Sequence, residues 1–231
     1  PVREEPSGLV QIDAATRRNL EISSSLSGGR EGSLLAAVDR TVTAAGARLL
    51  DRRLAAPSRD LGLIHARQAA VLGMVEAASL RGELRTALRR VPDMDRALSG
   101  LALDRGGPRD LAAIRTGLKQ AEAIAPFLAG ADGLLGEAAR DLVGHGDLTG
   151  LLDRALVAEP PMLARDGGFV AIGYDAELDE TRALRDEGRS VIASMQAEFI
   201  DATGIASLKI KHNNVLGYFI ETTVTHAERM M

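Results

Sequence analysis

The chain has 231 residues, of which 45% are hydrophobic, 26% charged and 3% aromatic, with no Cys, no Trp and a formal net charge of −4. That length can bury a real core in one or two domains. No run of about 18 apolar residues is available to span a membrane, and zero Cys excludes disulfides and thiolate metal sites. The slight acidity argues against a surface that coats nucleic acid throughout, while leaving room for a local basic patch. The opening PVREEPSGL has no apolar signal core, so the expected location is cytoplasmic. A chain that starts at Pro1 and stops at Arg229-Met230-Met231 is expected to be a piece of a longer protein.

In chain order, residues 1–12 read as the end of a linker. Asp13 is a suitable N-cap for a short helix carrying Thr16 to Leu20. Residues 23–32, SSSLSGGREG, form a loop, and Ser33 opens an apolar-periodic stretch with Leu34, Leu35 and Val38. A segment from Val42 to Leu54 must stop before Pro57. Asp60 caps a long helical run through Leu63, Ile64, Ala70, Val71 and Val75. Helical spacing continues over Met94–Leu103, Leu111–Ile124, 133–143 and 147–157, punctuated by Pro92, Gly106-Gly107-Pro108, Pro126 and Gly144-His145-Gly146.

The texture changes near Pro160-Pro161. Asp166-Gly167-Gly168 signals a turn and Phe169–Ile172 a short extended piece. Asp175 to Thr203 contains no Pro and one Gly, and Thr203-Gly204 is a good stop. This predicts one helix of about 28 residues, roughly 40 Å long. Leu184, Gly188, Val191, Met195 and Phe199 form a narrow stripe on it, the kind that seats on one partner helix. The period then becomes two, with Leu208 and Ile210 alternating with Lys209 and Lys211. His212-Asn213-Asn214 breaks the run and Tyr218 to Val224 is rich in β-branched and aromatic residues. That is a hairpin-like β element at the tip of a long helix.

Most chemistry-bearing patterns are decoys. Gly28-Gly29-Arg30-Glu31-Gly32-Ser33 lacks the Lys of a phosphate loop and no buried strand precedes it. His65, His145, His212 and His226 are scattered, with no i, i+4 pair. Asp179-Glu180 and Asp186-Glu187 read as a solvated helix face, and no G-x-S-x-G elbow is present. No active site and no metal site are expected. The departure from background is the β tip. Two of the three Lys residues, Lys209 and Lys211, sit there with Asn213 and Asn214, and no acid intervenes between Asp201 and Glu221. Ammonium groups and amides in this pattern suit phosphate contacts; a hydrated hairpin edge blunted by Lys is the alternative.

Several motifs in order carry a resemblance. They are Asp13–Ile22 (DAATRRNLEI), Gly32-Ser33-Leu34-Leu35, Asp39–Thr43 (DRTVT) and Gly46–Leu50 (GARLL). Then come Pro161, Asp166-Gly167-Gly168, Gly173-Tyr174-Asp175, Leu178-Asp179-Glu180, Leu208-Lys209-Ile210 and Asn213–Glu221 (NNVLGYFIE). Over about residues 10 to 228 the chain resembles the core domain of the MutS family of bacterial DNA mismatch-recognition ATPases.

The resemblance implies a mainly α fold: a multi-helix core domain with a long lever helix leading into a small, incomplete β clamp tip. Its implied boundaries are a linker from a connector domain over 1–12, the core with the start of the lever over 13–185, and the lever end with a partial clamp over 186–231. It implies a parent protein that encircles double-stranded DNA as a homodimer, works with a MutL-type repair partner and binds ATP and Mg in a separate P-loop domain. The resemblance places the Phe-x-Glu mismatch reader and the Walker A loop in other domains of the parent, so no cofactor is expected in this stretch. Lys209, Lys211, Asn213 and Asn214 are the candidates for contact with the DNA backbone. An equivalent segment of a MutS-like paralogue in recombination or ribosome-related function, or a helical interaction scaffold, is the alternative. Without a returning lever helix, the stripe at Leu184, Val191, Met195 and Phe199 is expected to be exposed or covered by a neighbouring chain. The net charge is expected to average an acidic helical body and a Lys-bearing tip.

Overall fold

The computed structural model describes residues 8–229. Residues 1–7 of the expected linker, and Met230 and Met231 at the end of the expected clamp segment, lie outside the described residues. The fold is mainly α with a small antiparallel sheet, as expected, and it divides into two compact units, one ending at Ala171 and one starting at Ile172.

The first unit is helical. Capping residues start α1 (Ala14–Asn19), α2 (Leu34–Val38), α3 (Ala44–Ala55) and α4 (Leu61–Glu76): the side chains of Asp13, Ser33, Thr43 and Asp60 each accept from the amide three residues on. Each satisfies a donor that the first turn cannot pair internally. Leu9 bridges Ser58, and Val10 N donates to Pro57 O at 2.8 Å, so the residues before α1 lie against the α3–α4 connection.

One helix occupies a stretch for which none was named, and one boundary differs from the expected one. The chain breaks at Ala77, and α5 (Ala78–Leu88) follows directly without Gly or Pro. Arg81 Nη1 donates to the carbonyls of Met74 at 2.5 Å and Val75 at 3.0 Å, replacing partners the last turn of α4 lacks. After α6 (Met94–Ala102), α7 runs Pro108–Ile124 and starts three residues before Leu111. Pro at the first helical position costs no hydrogen bond, and Asp110 Oδ2 accepts from Gly107 N at 2.7 Å.

The core of this unit gathers on α7. It packs against α5, α6 and α9 (Gly146–Ala155), while α8 (Gly133–Asp141) packs on α4. Buried Leu118, Ile124, Ala125, Leu128, Leu152 and Leu156 fill the contact. A Cβ at Gly117 would fall 2.1 Å from Met94 Sδ, so this glycine lets α6 seat on α7. Arg115, also buried, donates to the carbonyls of Leu156, Val157 and Ala158 at 3.2, 3.1 and 2.8 Å. Arg48 ties α3 to the start of α6 through Asp93, with two bonds of 2.8 and 2.6 Å. The extended piece after Phe169 pairs with the end of α9 through the bridge Leu156–Val170.

The second unit holds α10 (Ala176–Thr203), β1 (Lys209–Asn213) and β2 (Gly217–Glu221). Asp175 caps α10, and Gly204 closes it at φ +68°, a left-handed conformation that glycine adopts without a Cβ clash. On the expected stripe, Leu184, Val191 and Met195 are 63, 58 and 40% exposed, and Phe199 is half-buried.

Candidate nucleic-acid interface

The hairpin is antiparallel, with Lys209 opposite Glu221, Ile210 opposite Ile220, Lys211 opposite Phe219, His212 opposite Tyr218 and Asn213 opposite Gly217. Alternate residues of a strand share a face, so Lys209, Lys211, Phe219 and Glu221 lie on one face and Ile210, His212, Tyr218 and Ile220 on the other. His212 and Tyr218 stack edge-on, with ring centroids 4.9 Å apart. Both lysines are exposed.

The four candidates do not have equivalent surroundings. Lys211 Nζ is 2.8 Å from Glu221 Oε1. The acid-free stretch between Asp201 and Glu221 therefore does not leave Lys211 alone, because the fold returns Glu221 to the same face. Counting back from the turn would have placed it there, so this signal was present in the sequence. Asn213 Oδ1 accepts from Val215 N at 2.9 Å and from Leu216 N at 2.7 Å, so this side chain builds the turn. Asn214, Val215 and Leu216 form its exposed tip.

The strand is fastened to α10. Gln196 Oε1 accepts from Ile210 N at 2.9 Å, across fourteen positions of sequence, and nothing in the local pattern marks Gln196. Thr203 Oγ1 donates to Phe199 O at 2.6 Å and accepts from Ile205 N at 3.3 Å. Ile205 and Leu208, each 1% exposed, are packed at this corner.

The decoy patterns have local partners of their own. Arg30 of the glycine-rich loop pairs with Asp39. On α10, Asp179 pairs with Arg182 and accepts from Gly173 N, and Arg185 beside Asp186 lowers the Asp186 carboxyl below its usual range. Among the described residues, no group of three or more His, Asp or Glu is placed to hold a metal ion, and no helix is long and apolar enough to cross a membrane. The groove between α4, α5 and α8 is lined by Ala, Gly, Leu and Met, with Asp132 its one ionisable residue.

The charge is distributed differently from the expected acidic body and basic tip. Residues 1–171 carry 22 basic and 22 acidic side chains, whereas residues 172–231 carry 6 and 10. The whole net charge therefore lies in the second unit, and α10 alone holds seven acids against three arginines. The helical body is neutral, and the lysines sit at the end of an acidic helix.

The description "MutS domain III" belongs to the family model that matches residues 15–208. The chain is 71% identical to the DNA mismatch repair protein MutS of Paracoccus denitrificans over 232 residues, covering 100% of this chain and 26% of that protein. It is 71% identical to the protein of the same name from Cereibacter sphaeroides, with the same coverage, and 64% identical to that of Ruegeria pomeroyi, covering 100% of this chain and 27% of the relative. The chain thus spans about a quarter of the length of these curated relatives.

Proposed function

This chain belongs to the MutS family, whose domain III it matches, and on that premise we propose that it is the non-catalytic segment linking a DNA-gripping hairpin to the rest of a mismatch-repair ATPase. The observation that carries the reading is one long helix ending in one fastened, Lys-bearing hairpin. α10 has 28 residues, roughly 40 Å of stiff rod. Lys209 and Lys211 supply charge for phosphate oxygens, Asn214 an amide at the tip, and Asn213 the turn that presents them. Such contacts hold a duplex without reading its sequence.

The acidic helix sharpens the contact. DNA lying along α10 would meet like charge within a Debye length of about 10 Å at 0.1 M salt. The hairpin is therefore where the duplex meets this unit. The exposed stripe of Leu184, Val191 and Met195 seats on the family's returning lever helix. The whole protein acts as a homodimer on double-stranded DNA in the bacterial cytoplasm, associated with the nucleoid when acting on DNA. ATP and Mg bind in its separate P-loop domain, and its repair partner is a MutL-type protein. The relatives carry the mismatch-repair name, which favours this branch over a paralogue in recombination.

The linking role is tested by inserting three glycines after Gly188, where a Cβ would meet no neighbour within 4 Å. In the full-length protein, basal ATP turnover and duplex affinity are expected to persist, while the change in turnover caused by DNA is lost. A DNA response that survives the insertion overturns the linking role.

A further inference from the structure

An antiparallel strand sends alternate amides to opposite sides. The Ile210 amide points away from β2, and the Gln196 side chain is the group that meets it, Oε1 to N at 2.9 Å. Gln196 lies seven residues before the end of α10, about two turns or roughly 10 Å back along the helix. The first strand thus folds back beside the helix that delivers it. Gly204 is the conformationally free point between them, and the buried pair Ile205 and Leu208 sits directly after it. Those apolar contacts resist separation, but they are not directional; a hydrogen bond is.

We infer that Gln196 is a positioning residue for the hairpin, fixing the direction in which Lys209 and Lys211 leave the end of α10. It acts through Ile210, the residue between the two lysines. This rests on the reading of the lysines as DNA-backbone contacts. Without the latch, the hairpin pivots at Gly204 and the two ammonium groups no longer share one fixed line. With it, the hairpin and the last two turns of α10 move as one body, so a force on the lysines reaches the helix rather than being absorbed at the glycine.

The test uses the full-length protein and three variants. Gln196→Met keeps side-chain length and removes the acceptor; Gln196→Glu keeps an acceptor oxygen; Lys209→Ala/Lys211→Ala removes the proposed contacts. Hydrogen exchange of peptides covering Lys209–Asn213 and the salt dependence of binding to a short duplex with one mismatch are measured for each. Gln196→Met is expected to lose roughly five- to tenfold of the protection at Ile210 and to make the salt slope shallower by about one to two, with Gln196→Glu restoring both. Unchanged protection in Gln196→Met overturns the inference. Lost protection with unchanged DNA binding, while the double-lysine variant binds more weakly, overturns the positioning role and leaves the lysine contacts standing. If the double-lysine variant also binds like the wild type, the DNA reading fails, and the inference fails with it.

Discussion

Lys211 reaches across the hairpin to Glu221, with Nζ 2.8 Å from Oε1, and about half of each side chain is exposed to water. Any phosphate that Lys211 meets competes with this carboxylate. Glu221→Gln frees the ammonium group and removes a negative charge from the face. Duplex affinity of the full-length protein is predicted to rise about two- to fivefold at low salt, the size of an exposed ion pair, with a steeper salt dependence. Titration of a labelled duplex at several salt concentrations checks this, and an affinity that falls contradicts it.

Asn213 and Asn214 are neighbours with different work. Asn213→Ala removes the acceptor of the Val215 and Leu216 amides and is predicted to cost the hairpin about 1 kcal/mol. Faster amide exchange at those two residues is the signature. Asn213→Asp keeps the acceptor and leaves exchange near wild type. Asn214→Ala leaves the turn intact and weakens DNA binding alone.

Arg115 anchors the end of α9 from the middle of α7. Arg115→Met keeps an apolar stem but strips the Leu156, Val157 and Ala158 carbonyls of their donor. Urea unfolding of the 231-residue chain, followed by circular dichroism, is predicted to show a loss of about 2–4 kcal/mol. Arg115→Lys recovers part of it, because one ammonium cannot match the guanidinium fork.

Asp93 gives the first unit an acid-sensitive joint. Hydrogen bonds from Arg48 hold its carboxyl down at about 2, against an ordinary value of 3.8. A carboxyl with a depressed folded value contributes stability that is fully present above its unfolded value and is lost as pH falls through the folded one. The loss therefore runs from about pH 4 down to about pH 2. Asp93→Asn still caps α6 but loses the charge, so its unfolding free energy should fall less steeply than that of the wild type across that window. Parallel slopes would show that the Arg48 pair contributes nothing.

Local chemistry was legible in the sequence and long-range chemistry was not. Asp13, Ser33 and Asp60 each cap the helix they were expected to open, and Asp175 caps α10 where the Pro-free run begins, because a cap is decided within four residues; Thr43 caps α3, where the segment was expected to start at Val42. Gly204 stops α10 for the same reason, and the switch to period two after it marks the hairpin. The break at Ala77 had no such mark: it depends on Arg81 folding back onto carbonyls of the preceding helix. No local pattern marks Arg115, because its partners lie more than forty positions away. At the candidate site, residue types pointed to the lysines and asparagines. Register then brought in Glu221, and tertiary packing brought in Gln196, which no spacing rule selects.

The central claim is that Lys209 and Lys211 hold the DNA backbone at the end of α10. The most direct measurement is the salt dependence of duplex binding by the full-length protein, wild type against Lys209→Ala/Lys211→Ala. Each phosphate contact adds about 0.9 to the slope of log affinity against log salt, so the variant is predicted to be shallower by about two and weaker at low salt. An affinity and a slope that match the wild type would contradict the claim.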